Sequence, residues 1–305
     1  MTLVVLFNGQ GEQRPEHVER LLQEPVKDFS EPLERLLQAQ GVALAEVTDE
    51  ELRANRVAQP TICAYQLTIW RKFAPQLPRP ALFAGYSLGE LTAFGCAGAV
   101  AAQDAVPLAA IRARFMDEAV CVPSGLLSVS GLDEPALRGL CRAHAAEIAI
   151  RNGVDQFIVG GASDALARLA SAATAAGAHR VTHLGVPTPS HTSQLAGAAR
   201  RFGDELRPKL RERLEVPALS GIDGKVVRSG AEAGAALERQ MCRTIDWAAC
   251  METIASFRPQ AVLEIGPGSA LSRMLRECDP HLDVRAVDDF RDTAAAAAWV
   301  RARMP

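Results

Sequence analysis

The chain opens with an unbroken apolar run, Leu3 to Phe7 (LVVLF), that stops at the turn-forming stretch NGQGEQ. Consecutive apolar residues closed by glycines read as a strand buried on both faces. Between Thr61 and Ala74 the apolar residues Ile62, Tyr65, Ile69 and Phe73 recur at helical spacing, and Pro75 ends the pattern. Beyond the proline-rich loop PQLPRP, ALFAG at 81–85 reads as a second strand, and helices are expected at 88–98 and 103–120. Strands alternating with helices imply a mostly parallel sheet covered on both faces.

The rhythm then changes. LLSVSG (126–131) is strand-like, and Asp133 followed by Pro135 starts a helix to about His144. IAIRN (148–152) and QFIVGG (156–161) read as two strands around a turn at Gly153, Ser163 to Ala176 as a helix, and HRVTHLGV as a last strand. That is β-α-β-β-α-β, the ferredoxin-like pattern. The expectation is an α/β protein: a large, α/β-hydrolase-like domain of residues 1–124 and 187–305, interrupted by a small ferredoxin-like domain at 125–186. After the insertion come PTPSHT, an amphipathic helix at about 193–214, a strand at VPALS, a turn at Asp223-Gly224 and a helix at 231–242. FRPQAVLEIGPG is a strand entering a glycine turn, followed by a helix at 269–278, a short strand near VRAVD and an alanine-rich closing helix.

Composition narrows the class. The 305 residues are 48% hydrophobic and 23% charged, ordinary for a globular chain, and the net charge of −3 argues against a general nucleic-acid binder. The start MTLVVLFNGQ has no basic n-region and no apolar run is long enough to span a bilayer, so a cytoplasmic location is expected. The seven cysteines, an odd number with no C-x-x-C pair, read as buried free thiols in a reducing compartment.

The candidate chemistry centres on Gly85-Tyr86-Ser87-Leu88-Gly89. A G-x-S-x-G between a strand and a helix is the signature of a nucleophile elbow. The glycines permit a turn too sharp for side chains, and the hydroxyl stands beside the N–H groups that open the next helix, where an oxyanion can be held. The plainer alternative is a glycine-rich helix start with Ser87 as its cap. A serine needs a base. Of the six histidines, His191 lies in the rigid loop VPTPSHTS, where the chain re-enters the large domain. His17, His144, His179, His183 and His281 sit among charged neighbours and read as solvated surface residues.

These pieces together resemble the malonyl-CoA:acyl carrier protein transacylase family over almost the whole length: FNGQGEQ, GYSLGE, IRARFMDEA, PSHT, RQMCRTIDW and EIGPGSAL, in order. The resemblance implies Ser87 as acyl-accepting nucleophile and His191 as its base and acid. It implies the backbone N–H groups of Gln10 and Leu88 as the oxyanion hole, and Arg112 as the partner of malonate's free carboxylate. Gln240 would orient the histidine through its carbonyl, and Gln59 would line the pocket. It further implies malonyl-CoA as substrate, an acyl carrier protein bearing a phosphopantetheine-type arm as partner, and no metal or redox cofactor. A planar guanidinium binds a carboxylate through two parallel hydrogen bonds, whereas an acetyl or longer acyl group would leave Arg112 buried and unpaired.

Tyr86 stands where the family usually has histidine, Glu12 where it has serine, and Asn8 where it has proline. G-Y-S with the FNGQG start looks more like the transacylase (epsilon) subunit of malonate decarboxylase than a fatty-acid or polyketide malonyltransferase, which is the alternative. Arg151, Arg180, Arg200 and Arg201 are candidates to steer an acidic carrier, or else solvated charges. Two other classes compete. A serine hydrolase or thioesterase would use water as acceptor, with Asp155 or Asp164 as a triad acid, although both fall in the insertion. An inactive carrier-binding module would carry no acyl adduct.

Overall fold

A computed structural model describes residues 2–304. Its strands are β1 (Leu3–Phe7), β2 (Leu82–Gly85), β3 (Ser124–Ser130), β4 (Glu147–Arg151), β5 (Gln156–Ala162), β6 (Arg180–Leu184), β7 (Arg213–Leu219), β8 (Val226–Ser229), β9 (Ile245–Asp246), β10 (Ala261–Ile265) and β11 (Val284–Ala286). They form two sheets, in the orders β11-β10-β1-β2-β7-β8 and β6-β3-β5-β4-β9.

The first sheet is parallel except where β8 pairs antiparallel with β7. The continuous apolar run of β1 explains its central place. Leu3, Val5 and Phe7 pack into one core, with the helices Asn55–Phe73 and Ala102–Glu118. Val4 and Leu6 pack into another, with the helices Trp247–Ser256 and Ala270–Cys278. A strand wedged between two cores has no solvent face and no need of polar alternation.

In the second sheet, β3, β4, β5 and β6 pair antiparallel, and one face is sealed by the helices Glu134–Ala143 and Ser163–Ala175 through Leu127, Val129, Phe157, Val159, Leu137 and Leu169. Asp133 accepts a hydrogen bond from the Ala136 N–H at 2.8 Å, capping the first of these helices. The opposite face, with Leu126, Ile150 and Ile158, joins the second core of the large sheet and roofs the cleft beneath it.

Several elements differ from the sequence expectation. The helix expected from residue 61 starts at Asn55, so Pro60 lies inside it. The single helix expected at 193–214 is a short 3-10 turn, a helix at Ala196–Leu206 and a second turn at Arg207–Lys209, because Pro208 offers no N–H to continue the ladder. Helices at Pro15–Gln23 and Lys27–Gln38, and the strands β8 and β9, were not foreseen. β9 comes from outside residues 125–186 yet pairs with β4 in the second sheet. Of the cysteines, Cys63, Cys141 and Cys250 are buried, whereas Cys121 and Cys278 are exposed. Among the described residues, no helix is long and apolar enough to cross a membrane.

Candidate active site

The loops that leave the C-terminal ends of the neighbouring strands β1 and β2 meet, since Phe7 and Gly85 are register partners. In parallel sheets this edge is where functional loops gather. At the end of β2 the chain turns through Ser87, whose φ of 53° lies in the left-handed region, and enters the helix Leu88–Cys96 at once. The turn is possible only because both flanking residues lack Cβ. At Gly85 a Cβ would stand 2.1 Å from the Gly89 carbonyl carbon, and at Gly89 one would stand 2.0 Å from the Phe7 oxygen.

The Ser87 hydroxyl lies 2.8 Å from His191 Nε2. His191, also left-handed at φ 62°, is anchored by its own N–H to the Met241 carbonyl at 3.0 Å. Its Nδ1 faces the Gln240 backbone carbonyl. A carbonyl only accepts, so Nδ1 carries the proton and Nε2 is left with a lone pair toward the serine. Burial and then Arg112 push the imidazole pKa down to about 3, opposed by the Gln240 carbonyl, so the ring is neutral at ordinary pH.

Arg112 is 1% exposed, at the floor of the same cleft. Its guanidinium donates to Gln59 Oε1 at 2.8 Å and Gln240 Oε1 at 3.2 Å, while its Nε has no partner among the described residues. Both partners are neutral, and no carboxylate lies within ion-pair reach of Arg112 among the described residues. Burial lowers its pKa to about 10, which still leaves it charged at neutral pH. Gln240 also donates through Nε2 to the Ser87 carbonyl at 2.9 Å, so one glutamine touches the serine, the histidine and the arginine.

Gln10 and Leu88, on the two loops, line the same cleft as Ser87, and their N–H groups have no internal acceptor among the described residues. Asn8 braces the first loop: its Oδ1 accepts from the Gly9 N–H, and its Nδ2 donates to the Pro267 carbonyl, both at 2.8 Å. Tyr86 packs edge-on against Trp247 with ring centroids 5.3 Å apart, and its hydroxyl donates to Asn152 Oδ1 at 3.1 Å. The elbow is thus tied to the roof. The cleft encloses about 860 Å³ and is lined by Ser87, His191, Arg112, Gln59, Gln10 and Leu88.

All seven residues expected from the sequence therefore converge. Two contacts were not legible there: the Gln59 and Gln240 side chains holding the guanidinium, which no local spacing announces. The other candidate residues have partners of their own. Asp164 pairs with Arg168 at 3.0 Å, and His191 Nδ1 is satisfied by a carbonyl, so the insertion supplies no triad acid. Arg151 pairs with Asp246 at 2.6 Å, and Arg201 pairs with Glu118 at 2.7 Å and stacks over Phe115, so neither is a free surface charge. His17 is half-buried against Asp288 and Tyr65, not solvated. The donors of the GPGS turn are consumed: Gly268 donates to Asp288, Ser269 and Ala270 to Glu12, and Leu271 and Ser272 to Glu264. They are committed to shaping the strand-to-helix turn and the helix Ala270–Cys278.

A family model described as an acyl transferase domain matches residues 4–299. The chain belongs to the acyl transferase family. It is an acyltransferase similar to the malonyl CoA-acyl carrier protein transacylase of Salmonella typhimurium, 32% identical over 81% of this chain and 82% of that one. The Mycobacterium tuberculosis transacylase is 30% identical over 95% and 97%. Among solved structures, MCAT from Mycobacterium tuberculosis superimposes with a TM-score of 0.87 at 30% identity, covering 97% of this chain and 99% of the other. A malonyl-transacylase in complex with a type II polyketide acyl-carrier protein gives 0.88 at 27% identity, covering 98% and 99%.

Proposed function

We propose that this acyltransferase moves malonyl from malonyl-CoA to the thiol of an acyl carrier protein through a malonyl ester on Ser87. The observation that carries this reading is Arg112, a buried cation with only neutral partners, in the same cleft as a serine and a neutral imidazole. A buried guanidinium without an anion is costly, so the group that completes it is a carboxylate on the acyl chain.

In the proposed reaction His191 Nε2 takes the hydroxyl proton as Ser87 Oγ attacks the thioester carbonyl. The oxyanion settles between the Gln10 and Leu88 N–H groups, each worth about 3–4 kcal/mol in such sites. The C–S bond breaks, and the leaving thiolate takes the proton from His191. The carrier's pantetheine thiol enters, gives its proton to His191, and attacks the ester, and Ser87 Oγ recovers the proton. These steps call for no metal or redox group. The insertion at 125–186, a ferredoxin-like unit in this reading, roofs the reaction.

The transacylases named above support the fatty-acid or polyketide malonyltransferase over the malonate decarboxylase subunit, which rests on Tyr86 and the FNGQG start alone. Mass spectrometry of the Ser87 peptide tests the core of the reading: malonyl-CoA leaves a malonyl adduct and acetyl-CoA leaves far less. Release of free malonate at the same rate with and without a thiol acceptor would instead establish a hydrolase.

A further inference from the structure

A glutamine on the helix Asn55–Phe73 takes no part in the reaction above, yet it holds the loop that follows β1. Gln66 is completely buried. Its Nε2 donates to the Asn8 carbonyl at 2.7 Å and lies 3.5 Å from the Ile265 carbonyl, while its Oε1 has no partner among the described residues. Both neighbours of the nitrogen are carbonyls, which only accept, so the NH2 end of the amide faces them. A buried amide oxygen without a donor costs stability, so what the residue contributes is the bond at its nitrogen.

That bond falls on the peptide unit joining Asn8 to Gly9. Gln66 holds the oxygen of the unit and Asn8 Oδ1 holds its N–H at 2.8 Å, so the plane is fixed at both edges. Asn8 Nδ2 is tied to the Pro267 carbonyl at 2.8 Å and the Asn8 N–H to the Ile265 carbonyl at 3.3 Å, so every polar atom of Asn8 is engaged. Gly9 lies against the elbow: a Cβ there would stand 2.8 Å from the Tyr86 carbonyl oxygen and 3.6 Å from the Ser87 Cβ. Of the N–H groups at residues 8–11, those of Asn8, Gly9 and Gly11 have internal acceptors, Gly11 donating to Gln13 Oε1 at 2.6 Å. The Gln10 N–H has none among the described residues. Deepening the malonyltransferase reading and resting on it, we propose that Gln66, together with Asn8, is a positioning residue that fixes the Asn8–Gly9 peptide and thereby aims the Gln10 N–H at the acyl carbonyl oxygen.

The relay moves no proton and makes no covalent bond. Its effect is to have a donor in place before negative charge develops on the oxygen, so that no reorganisation is needed at the moment of attack. Without the Gln66 donor the Asn8 carbonyl is left buried and unpaired, and the peptide that sets the direction of Gly9 and Gln10 is free to rotate. The aim counts most in the transition state, so the maximal rate of acylation should fall about ten- to a hundredfold while KM for malonyl-CoA holds. An internal control lies on the same helix. Gln59, seven residues and about two turns before Gln66, donates nothing to this loop but holds the Arg112 guanidinium at 2.8 Å. Preference for malonyl over acetyl therefore reports whether the helix itself has moved.

The test is infrared difference spectroscopy of the acyl-enzyme formed from malonyl-CoA carrying carbon-13 at the thioester carbonyl, with single-turnover acylation measured alongside. A carbonyl that loses a hydrogen bond stretches at higher frequency. In Gln66→Met, which keeps the length of the side chain and removes the donor, the ester band should move to higher wavenumber and acylation should slow, with malonyl-over-acetyl preference unchanged. A band that stays in place, or one that moves together with a loss of that preference, overturns the proposal, the second because it shows a displaced helix and not a misaimed donor. If Gln66→Met does not fold, Asn8→Ala, which frees the Gly9 N–H, is read in the same way and decides. Wild-type protein that forms no malonyl adduct on Ser87 would instead overturn the malonyltransferase reading itself.

Discussion

At the scale of single residues, the site is a set of side chains whose ordinary properties are altered by burial. His191 shows this most directly. Its unfolded imidazole takes a proton near pH 6.5, but the folded ring, desolvated and facing Arg112, does so only near 3. Between these values the unfolded chain holds the extra proton, so this contribution to stability is complete above pH 6.5 and is lost as pH falls toward 3. His191→Asn should therefore flatten the acid side of the stability profile in denaturant titrations while abolishing acylation. The same shift keeps the base unprotonated through mildly acidic conditions, so single-turnover malonyl-serine formation should not show a loss centred near pH 6.5. Arg112→Ala is expected to raise KM for malonyl-CoA at least about a hundredfold, since a charged hydrogen-bonded pair inside a cleft carries about 3–5 kcal/mol. Because the substitution also frees Gln59 and Gln240, and Gln240 holds His191, a fall in kcat should accompany it; steady-state kinetics with malonyl-CoA and acetyl-CoA separate the two effects.

At the scale of elements, the serine works because a strand, a turn and a helix are pressed together more tightly than any Cβ would allow. Gly89→Ala drives a methyl into the Phe7 carbonyl, and the expected outcome is loss of several kcal/mol of stability together with the elbow geometry, read by thermal melting and by the absence of the acyl adduct. The helix Ala270–Cys278 depends on Glu264, which is buried and accepts from the Leu271 and Ser272 N–H groups at 3.2 and 2.7 Å. Glu264→Ala should cost about 1–2 kcal/mol in chemical denaturation, as lost caps do, and leave the serine itself reactive. This scale also marks what a sequence reveals. Gly85-Tyr86-Ser87-Leu88-Gly89 announces its own strand, turn and helix because each requirement is local. The Pro-Ser-His loop is equally legible, as rigidity written in adjacent residues. The Gln240 side chain and β9 are not, because each is fixed by chain segments more than a hundred positions away or by a sheet edge that offers a place to a two-residue strand.

At the scale of the whole molecule, the cleft lies between two walls with different makers: the loops at the ends of β1 and β2 below, and the open face of the second sheet above. Arg180 lines the upper wall, and no ion pair holds it among the described residues, unlike Arg151 and Arg201. Arg180→Ala should slow transfer to an acidic carrier and weaken its salt dependence, with little effect on acylation by malonyl-CoA, as measured by stopped-flow transfer at several ionic strengths. Competition between a fatty-acid carrier and a decarboxylase carrier would then settle which partner the wall was shaped for. The upper wall is not a separable part. Gln240, whose carbonyl sets the imidazole, is followed within a few residues by Thr244, which donates to the Ile148 carbonyl at 2.7 Å, and by β9, which pairs with β4 and is locked by Arg151 and Asp246. A displacement of the roof is thus passed along a short tether to the group that holds the proton acceptor. Exchanging residues 125–186 for the equivalent stretch of a relative would transplant one end of that tether and leave the other behind, so a chimera aimed at new carrier preference must carry residues 240–246 with it or forfeit its base.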